Sequence, residues 1–427
     1  MSLEISRVGA IPPHMEKACT PTANMHPIVG LAREILKECL PVLHYHYTAQ
    51  KTNKHAQKAE DFAIEWFKKH LAKRDDKGEL TPDAHRYIKG IQLNRFAQFA
   101  AHCSPDAEEE VAIIAAMLAV WLFFSDDIIE VSTDEEEMAY QFEQIRQICL
   151  DPKLAEASDN PSVRALGDIV TRMHAICTAE LKPRFADLFY RYLKSNLWEI
   201  NNVKNKRTPP SDEYGVMRYD TSATPLSFLM VQLDKKLDLP DSIINDPEVT
   251  ELQRSGAFCC NDENEILSFF KELVQAVTER AKELTNRKDL NKDLSADEIQ
   301  ELKDLKELEE LLKPDAFANK DEDMTAHLFK KVEEAVKKDY FVIHNLIHVY
   351  MKEGQTLEGA FRQTAEKLKR EMKTFFDLRE KIKTRTDFGD YLPKVKQLAD
   401  GTVDWISAHH FWAVFAPRYN GSGFAAS

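Results

Sequence analysis

Apolar residues recur along this chain at steps of three and four, the spacing that places them on one face of an α-helix. Runs of β-branched residues alternating with polar ones are absent, so the pattern predicts helices nearly throughout and no sheet. One stretch differs: Val111 to Phe124 is apolar without interruption. It is too short to span a bilayer and predicts a helix buried on all sides. Residues 1–27, rich in Pro and Thr, read as an extended strap or leader, with helices following from about Ile28 to Leu71. No Gly/Ser-rich or Pro-rich linker divides the remainder, and glycine is scarce at 13 residues. The expectation is a single all-α domain over 28–427 with an insertion at approximately 281–340.

That insertion is dense in Lys, Glu and Asp. Within it Ser295-Ala-Asp-Glu298 forms a capping box. Ile299, Leu302, Leu305, Leu308 and Leu312 then make an apolar stripe, and Pro314 ends it. The segment reads as a docked or solvated helical insertion, outside the main core.

Charge narrows the partners. A net charge of −14 and a pI near 5.6 disfavour nucleic acid and anionic membrane, and predict no stable membrane insertion. An anionic substrate would need a local concentration of Arg and Lys. Seven scattered cysteines without metal-ligand spacing, and no apolar signal core at the N-terminus, point to a reducing, cytoplasmic setting.

Two segments carry chemistry. Asn264-x-x-x-Ser268-x-x-Lys271-Glu272 sets an amide oxygen, a hydroxyl and a carboxylate at steps of four. On a helix these fall within about 80° of one another. Mixed oxygen donors on one face suit a hard cation such as magnesium. Ile266, Phe269, Phe270 and Leu273 take the opposite face, toward a core. Upstream, Asp126-Asp127-x-x-Glu130 ends the long apolar run, where carboxylates need pairing, hydration or a metal. Taken alone, each motif also reads as a polar helix face, and the residues leave both readings open.

Together they resemble the class I terpene synthases, whose aspartate-rich DDxx(D/E) motif faces an N-x-x-x-S-x-x-x-E triad. Trp198-Glu199, Pro209-Pro210 and Glu213-Tyr214-x-x-Met217-Arg218 resemble the run that leads to the family's diphosphate-sensing arginine. Asn345 to Glu353 with Thr356 to Ala360 resembles its helix after the triad, and Trp405, Trp412 and Arg418-Tyr419 its C-terminal signature. Asn24-Met-His-Pro27 is a weaker echo near the N-terminus. The likeness spans roughly residues 24–420 and resembles the coral-type animal branch in overall form. Glu265 stands where the family usually has Asp, and Thr221-Ser222 where many members have Asp and Gly.

The resemblance implies a class I terpenoid synthase α-domain, a helical bundle around a deep apolar cavity. It implies a magnesium-dependent cyclase that ionises a linear isoprenoid diphosphate, with three Mg2+ ions and Mn2+ as a substitute. Asp126, Asn264, Ser268 and Glu272 would bind metal, with Asp127 and Glu130 orienting ligands. Arg218, Lys271, Arg418 and Tyr419 would donate to the diphosphate, and Ser222, at a helix break marked by Pro225, would bind substrate through the family's effector carbonyl. Trp121, Phe123, Phe124, Phe96, Phe99, Phe228 and Trp412 are candidates for the cavity wall. Small residues at Ala115, Ala116 and Ala119 favour the twenty-carbon geranylgeranyl diphosphate over the fifteen-carbon farnesyl diphosphate. A chain-elongating synthase would carry a second aspartate cluster, where this chain has Asn, Ser and Glu. A non-catalytic helical interaction protein would have no use for an intact ligand set. His344 and His348 lack the glutamate of a zinc-protease helix, and His409-His410 and Cys259-Cys260 read as packing.

Overall fold

The computed structural model describes residues 17, 19–22, 25–43, 51–129, 135–289, 294–317 and 322–419, without the side chains of 42–43, 126–129, 135–139 and 141. Its principal helices are α1 (Pro27–Leu43), α2 (Ala56–His70), α3 (Pro82–Asn94), α4 (Phe96–His102), α5 (Glu109–Ile129), α6 (Glu135–Leu150), α7 (Pro161–Ile176) and α8 (Leu181–Lys204). There follow α9 (Ser211–Thr221), α10 (Thr224–Lys235), α11 (Pro247–Asp289), α12 (Ala296–Leu311), α13 (Glu322–Lys337), α14 (Leu346–Lys352), α15 (Leu357–Lys383) and α16 (Leu392–Phe415). The fold is all-α, with no strand among the described residues. None of the described helices is long and apolar enough to cross a membrane.

Two apolar clusters make the core. One gathers α1, α11, α12, α13, α15 and α16; the other gathers α2, α5, α6, α7 and α8. Trp412 of α16 packs against both. The uninterrupted run of α5 is buried from Val111 to Leu118, as its lack of a polar face demands. Helix α11 has 43 residues, and its middle is buried nearly all round. Close packing of α16 against α10 depends on a missing side chain: a Cβ at Gly401 would lie 2.3 Å from Val231.

The break anticipated at Ser222 separates α9 from α10. Ala223 takes φ 55°, in the left-handed region, at a cost of about 1–2 kcal/mol for an L-residue. Pro225 then opens α10.

The charged stretch 281–340 departs from expectation. Residues 281–289 continue α11, and the capping box at Ser295 starts α12. Leu302, Leu305, Leu308 and Leu312 are buried in the same cluster as α11 and α15, although Ile299 is exposed. Arg280 Nε donates to Glu301 at 2.7 Å, pinning α12 to α11. The stripe is therefore integral to the core. A sequence dense in charge conceals this because each charge needs only one solvated face.

Candidate active site

Helices α4, α5, α8, α10, α11 and α16 enclose a cavity of about 540 Å³. Its apolar wall includes Phe99, Leu118, Leu122, Phe123, Trp405 and Trp412. Its polar wall holds Arg218, Asn264, Ser268, Lys271, Glu272, Arg418 and Tyr419. All seven were anticipated from the sequence, and one cavity brings them together. Ser222 lines it too, at the break that ends α9.

The steps of four along α11 turn Asn264, Ser268 and Glu272 to the same side. Arg218 reaches them from α9: its NH2 donates to Asn264 Oδ1 at 3.0 Å, and its Nε to Glu265 Oε1 at 2.6 Å. Asn264 Nδ2 donates to the Tyr419 hydroxyl at 2.9 Å. Glu265 is held further by the Tyr214 hydroxyl at 2.9 Å and the Leu346 backbone N–H at 2.5 Å. Burial disfavours the Arg218 charge, but Glu265, first among its neighbours, overrides this and raises its pKa. Burial, reinforced by Glu265, raises the pKa of Glu272, while Lys271 and hydrogen bonds from Ser268 and Asn345 oppose the rise.

The donor set fits a hard divalent cation. It offers amide, hydroxyl and carboxylate oxygens on one face, and a buried carboxylate whose charge a nearby cation would favour. Among the described residues no three His, Cys, Asp or Glu form a closed metal cage. A cation bound through one or two carboxylates and completed by substrate oxygens needs no such cage.

The aspartate motif sits on the last turn of α5, but the side chains of Asp126 and Asp127, and all of Glu130, lie outside the described residues, as does Asn24. Of the aromatic candidates, Phe99, Phe123 and Trp412 line the cavity, joined by Trp405. Phe99 stacks on Trp412 with centroids 4.6 Å apart. Trp121 instead donates to the Ser162 carbonyl at 2.9 Å, and Phe124 packs on Phe67 and Tyr87. Phe96 stacks on Phe123 from behind, and Phe228 packs on Trp405. The Arg418 guanidinium lies 5.3 Å and 5.2 Å from the Phe96 and Phe123 ring centres, while its backbone N–H donates to Asn94 Oδ1 at 3.0 Å. Ala115 and Ala119 line the cavity; Ala116 is buried elsewhere.

Sequence reasoning missed the support behind the triad. Asn261-Asp-Glu-Asn-Glu265 is an unbroken polar run inside a buried helix. Each of its carboxylates finds a different partner. Lys367 of α15 donates to Asp262 at 2.6 and 2.8 Å, Arg218 of α9 serves Glu265, and His409 and His410 of α16 flank Glu263. His409-His410 thus meets a buried charge rather than filling space, while His409 also lines the cavity. Consecutive charges in a helix cannot share one solvent face, and that was the available signal. Burial lowers the His344 pKa to about 4 and the His348 pKa to about 3, leaving both rings neutral near pH 7.

The family described as terpene synthase family 2, C-terminal metal binding, matches residues 117–304. The 10-epi-cubebol synthase of Sorangium cellulosum (strain So ce56) is 23% identical over 370 residues, covering 86% of this chain and 93% of that protein. The 4-epi-cubebol synthase of Streptosporangium roseum, named as cyclising (2E,6E)-farnesyl diphosphate, is 23% identical over 195 residues, 45% of this chain and 59% of that protein. The fold is similar to the crystal structure of linalool/nerolidol synthase from Streptomyces clavuligerus, with a TM-score of 0.62 and 13% identity over 86% of this chain and 99% of that one. Germacradien-4-ol synthase from Streptomyces citricolor gives a TM-score of 0.59 at 17% identity, over 85% and 95%. The fold is all-α and similar to that of these solved terpene synthases. The family match and the relatives together support a class I terpene synthase, an enzyme of the terpene cyclase kind. The coral-type sub-assignment is not shown by these likenesses.

Proposed function

We propose that the chain is a magnesium-dependent cyclase that ionises farnesyl diphosphate and folds the resulting carbocation within the cavity. The observation that carries this reading is that one cavity is lined both by oxygen and basic donors and by aromatic rings. Asn264, Ser268 and Glu272 would hold one Mg2+ ion, and Asp126, with Asp127 and Glu130, would hold others; three ions are expected in all. Bound magnesium supplies the charge neutralisation that makes diphosphate a leaving group.

The protein's own groups do the rest. Arg218 and Arg418 offer planar forks, Lys271 a point charge and Tyr419 a hydroxyl, so a diphosphate has donors before it has shed its charge. Phe99, Phe123, Trp405 and Trp412 line the cavity, where they would exclude water and stabilise a cation.

The fifteen-carbon substrate is proposed in place of the twenty-carbon one. The Streptosporangium relative is named for farnesyl diphosphate. Room beside Ala115 and Ala119 supports the longer chain, but an alanine on a cavity wall equally accommodates a folded shorter one. Incubation of purified protein with each diphosphate, with Mg2+ or with EDTA, tests the reading. Cyclic hydrocarbon or alcohol detected by mass spectrometry only with the metal supports it; no diphosphate release from any substrate sinks it.

A further inference from the structure

We propose that Asn345 is a positioning residue for the cation-binding triad, holding Ser268 and Glu272 in the arrangement in which they take the metal. This rests on the reading of the triad as the magnesium site.

Asn345 is fully buried and occupies the N-cap of α14. Its Oδ1 accepts from the Ile347 backbone N–H at 2.9 Å. That bond fixes the amide's orientation, because only the oxygen can accept there. Nδ2 must then face α11, where it lies 3.0 Å from the Glu265 carbonyl oxygen, 3.3 Å from Ser268 Oγ and 3.0 Å from Glu272 Oε2. Two N–H bonds are shared among three acceptors. The next residue extends the grip, with the Leu346 N–H on Glu265 Oε2.

A cap alone does not require this residue. Ser, Thr and Asp cap as well as Asn does, but none of them carries an N–H. The donor is the added function. Without Asn345 the long Glu272 carboxylate, repelled by Glu265, would keep only Ser268 and the charge of Lys271 to hold it, and more of its ordering would fall to the metal. Asn345 orders it beforehand, in the way outer partners orient first ligands at metal sites.

Calorimetric titration of the full chain with Mg2+ and inorganic diphosphate tests this below the melting transition, where a stability defect leaves the affinity of folded protein unchanged. Asn345→Ser keeps a cap but exchanges the amide N–H for a shorter hydroxyl that stops short of Glu272; it should weaken Mg2+-dependent uptake by about 10–100-fold. Asn345→Thr serves if the serine variant does not fold. Thr356→Ala, which removes the Gly359 N–H cap of α15, should leave affinity unchanged. Uptake by Asn345→Ser within twofold of wild type overturns the inference alone. Absence of Mg2+-dependent uptake by wild type overturns the magnesium-site reading and this inference with it.

Discussion

A 3.0 Å hydrogen bond joins Arg218 to Asn264, so the proposed diphosphate sensor and the first triad residue, on different helices, belong to one network. Glu265 completes it by taking the Arg218 Nε at 2.6 Å. The substitution of Glu for the family's usual Asp preserves the ion pair: the extra methylene still brings the carboxylate to the guanidinium.

Glu265→Gln should therefore lower kcat/KM about 10–100-fold, because Arg218 loses the charge that holds it in register with Asn264. Arg218→Ala should be worse, and Arg218→Lys should recover only part, since a point charge cannot bridge Asn264 and Glu265 together. Steady-state diphosphate release measures this. Wild-type kinetics in Glu265→Gln would show that the pair is not what aligns the sensor.

Asn264→Ala and Asp126→Ala should each reduce turnover by at least about 2.7–4 kcal/mol of transition-state stabilisation, with helical circular dichroism unchanged. Asn264 lines the cavity rather than filling core, so its truncation opens no void among apolar side chains. Turnover within tenfold of wild type for both variants would remove the metal-ligand assignment.

The buried pair Lys367–Asp262 makes a separate claim about stability. Lys367→Ala leaves the Asp262 carboxyl buried without its donor and should cost about 1–3 kcal/mol in urea denaturation. Burial, opposed by Lys367, pushes the Asp262 pKa up to about 7 from an ordinary 3.8. A folded value above the unfolded one means its contribution is full below about pH 4 and is lost as pH rises through about 7. Wild type minus Asp262→Asn stability should fall across that window. A difference that is flat with pH would mean the site does not titrate there.

The helical content and the triad were legible because both are periodic: steps of three and four define a helix face, and the ligands use the same steps. The break at Ser222 was legible through Pro225. The burial of α12 was not, because Leu302, Leu305, Leu308 and Leu312 form one narrow stripe on an otherwise charged helix, and such a stripe does not reveal its partner. Nor was Asn345, since a capping residue and a triad support have the same appearance in a sequence; only the fold brings it beside Glu272. Removal of residues 285–322, tolerable for an appended insertion, should instead abolish soluble protein. Leu305→Ala alone should cost about 2–5 kcal/mol, as for other fully buried leucines.

Under the proposed function, chain length would be set at the wall that α5 presents. Ala115 and Ala119 are four apart, on one face, and both line the cavity, so enlarging either takes room from the substrate directly. Wild type should prefer farnesyl diphosphate over geranylgeranyl diphosphate when the two compete at equal concentration, scored by kcat/KM. Ala119→Phe should depress whatever twenty-carbon activity exists more than fifteen-carbon activity, because the longer chain needs the wall set back. Ala116→Ser is the contrasting change: Ala116 is buried away from the cavity, so its substitution should alter stability without changing the ratio of the two substrates. A tenfold preference of wild type for geranylgeranyl diphosphate would reverse the proposed chain length and leave the cyclase intact. An unchanged substrate ratio in Ala119→Phe would show that the α5 wall does not measure the chain.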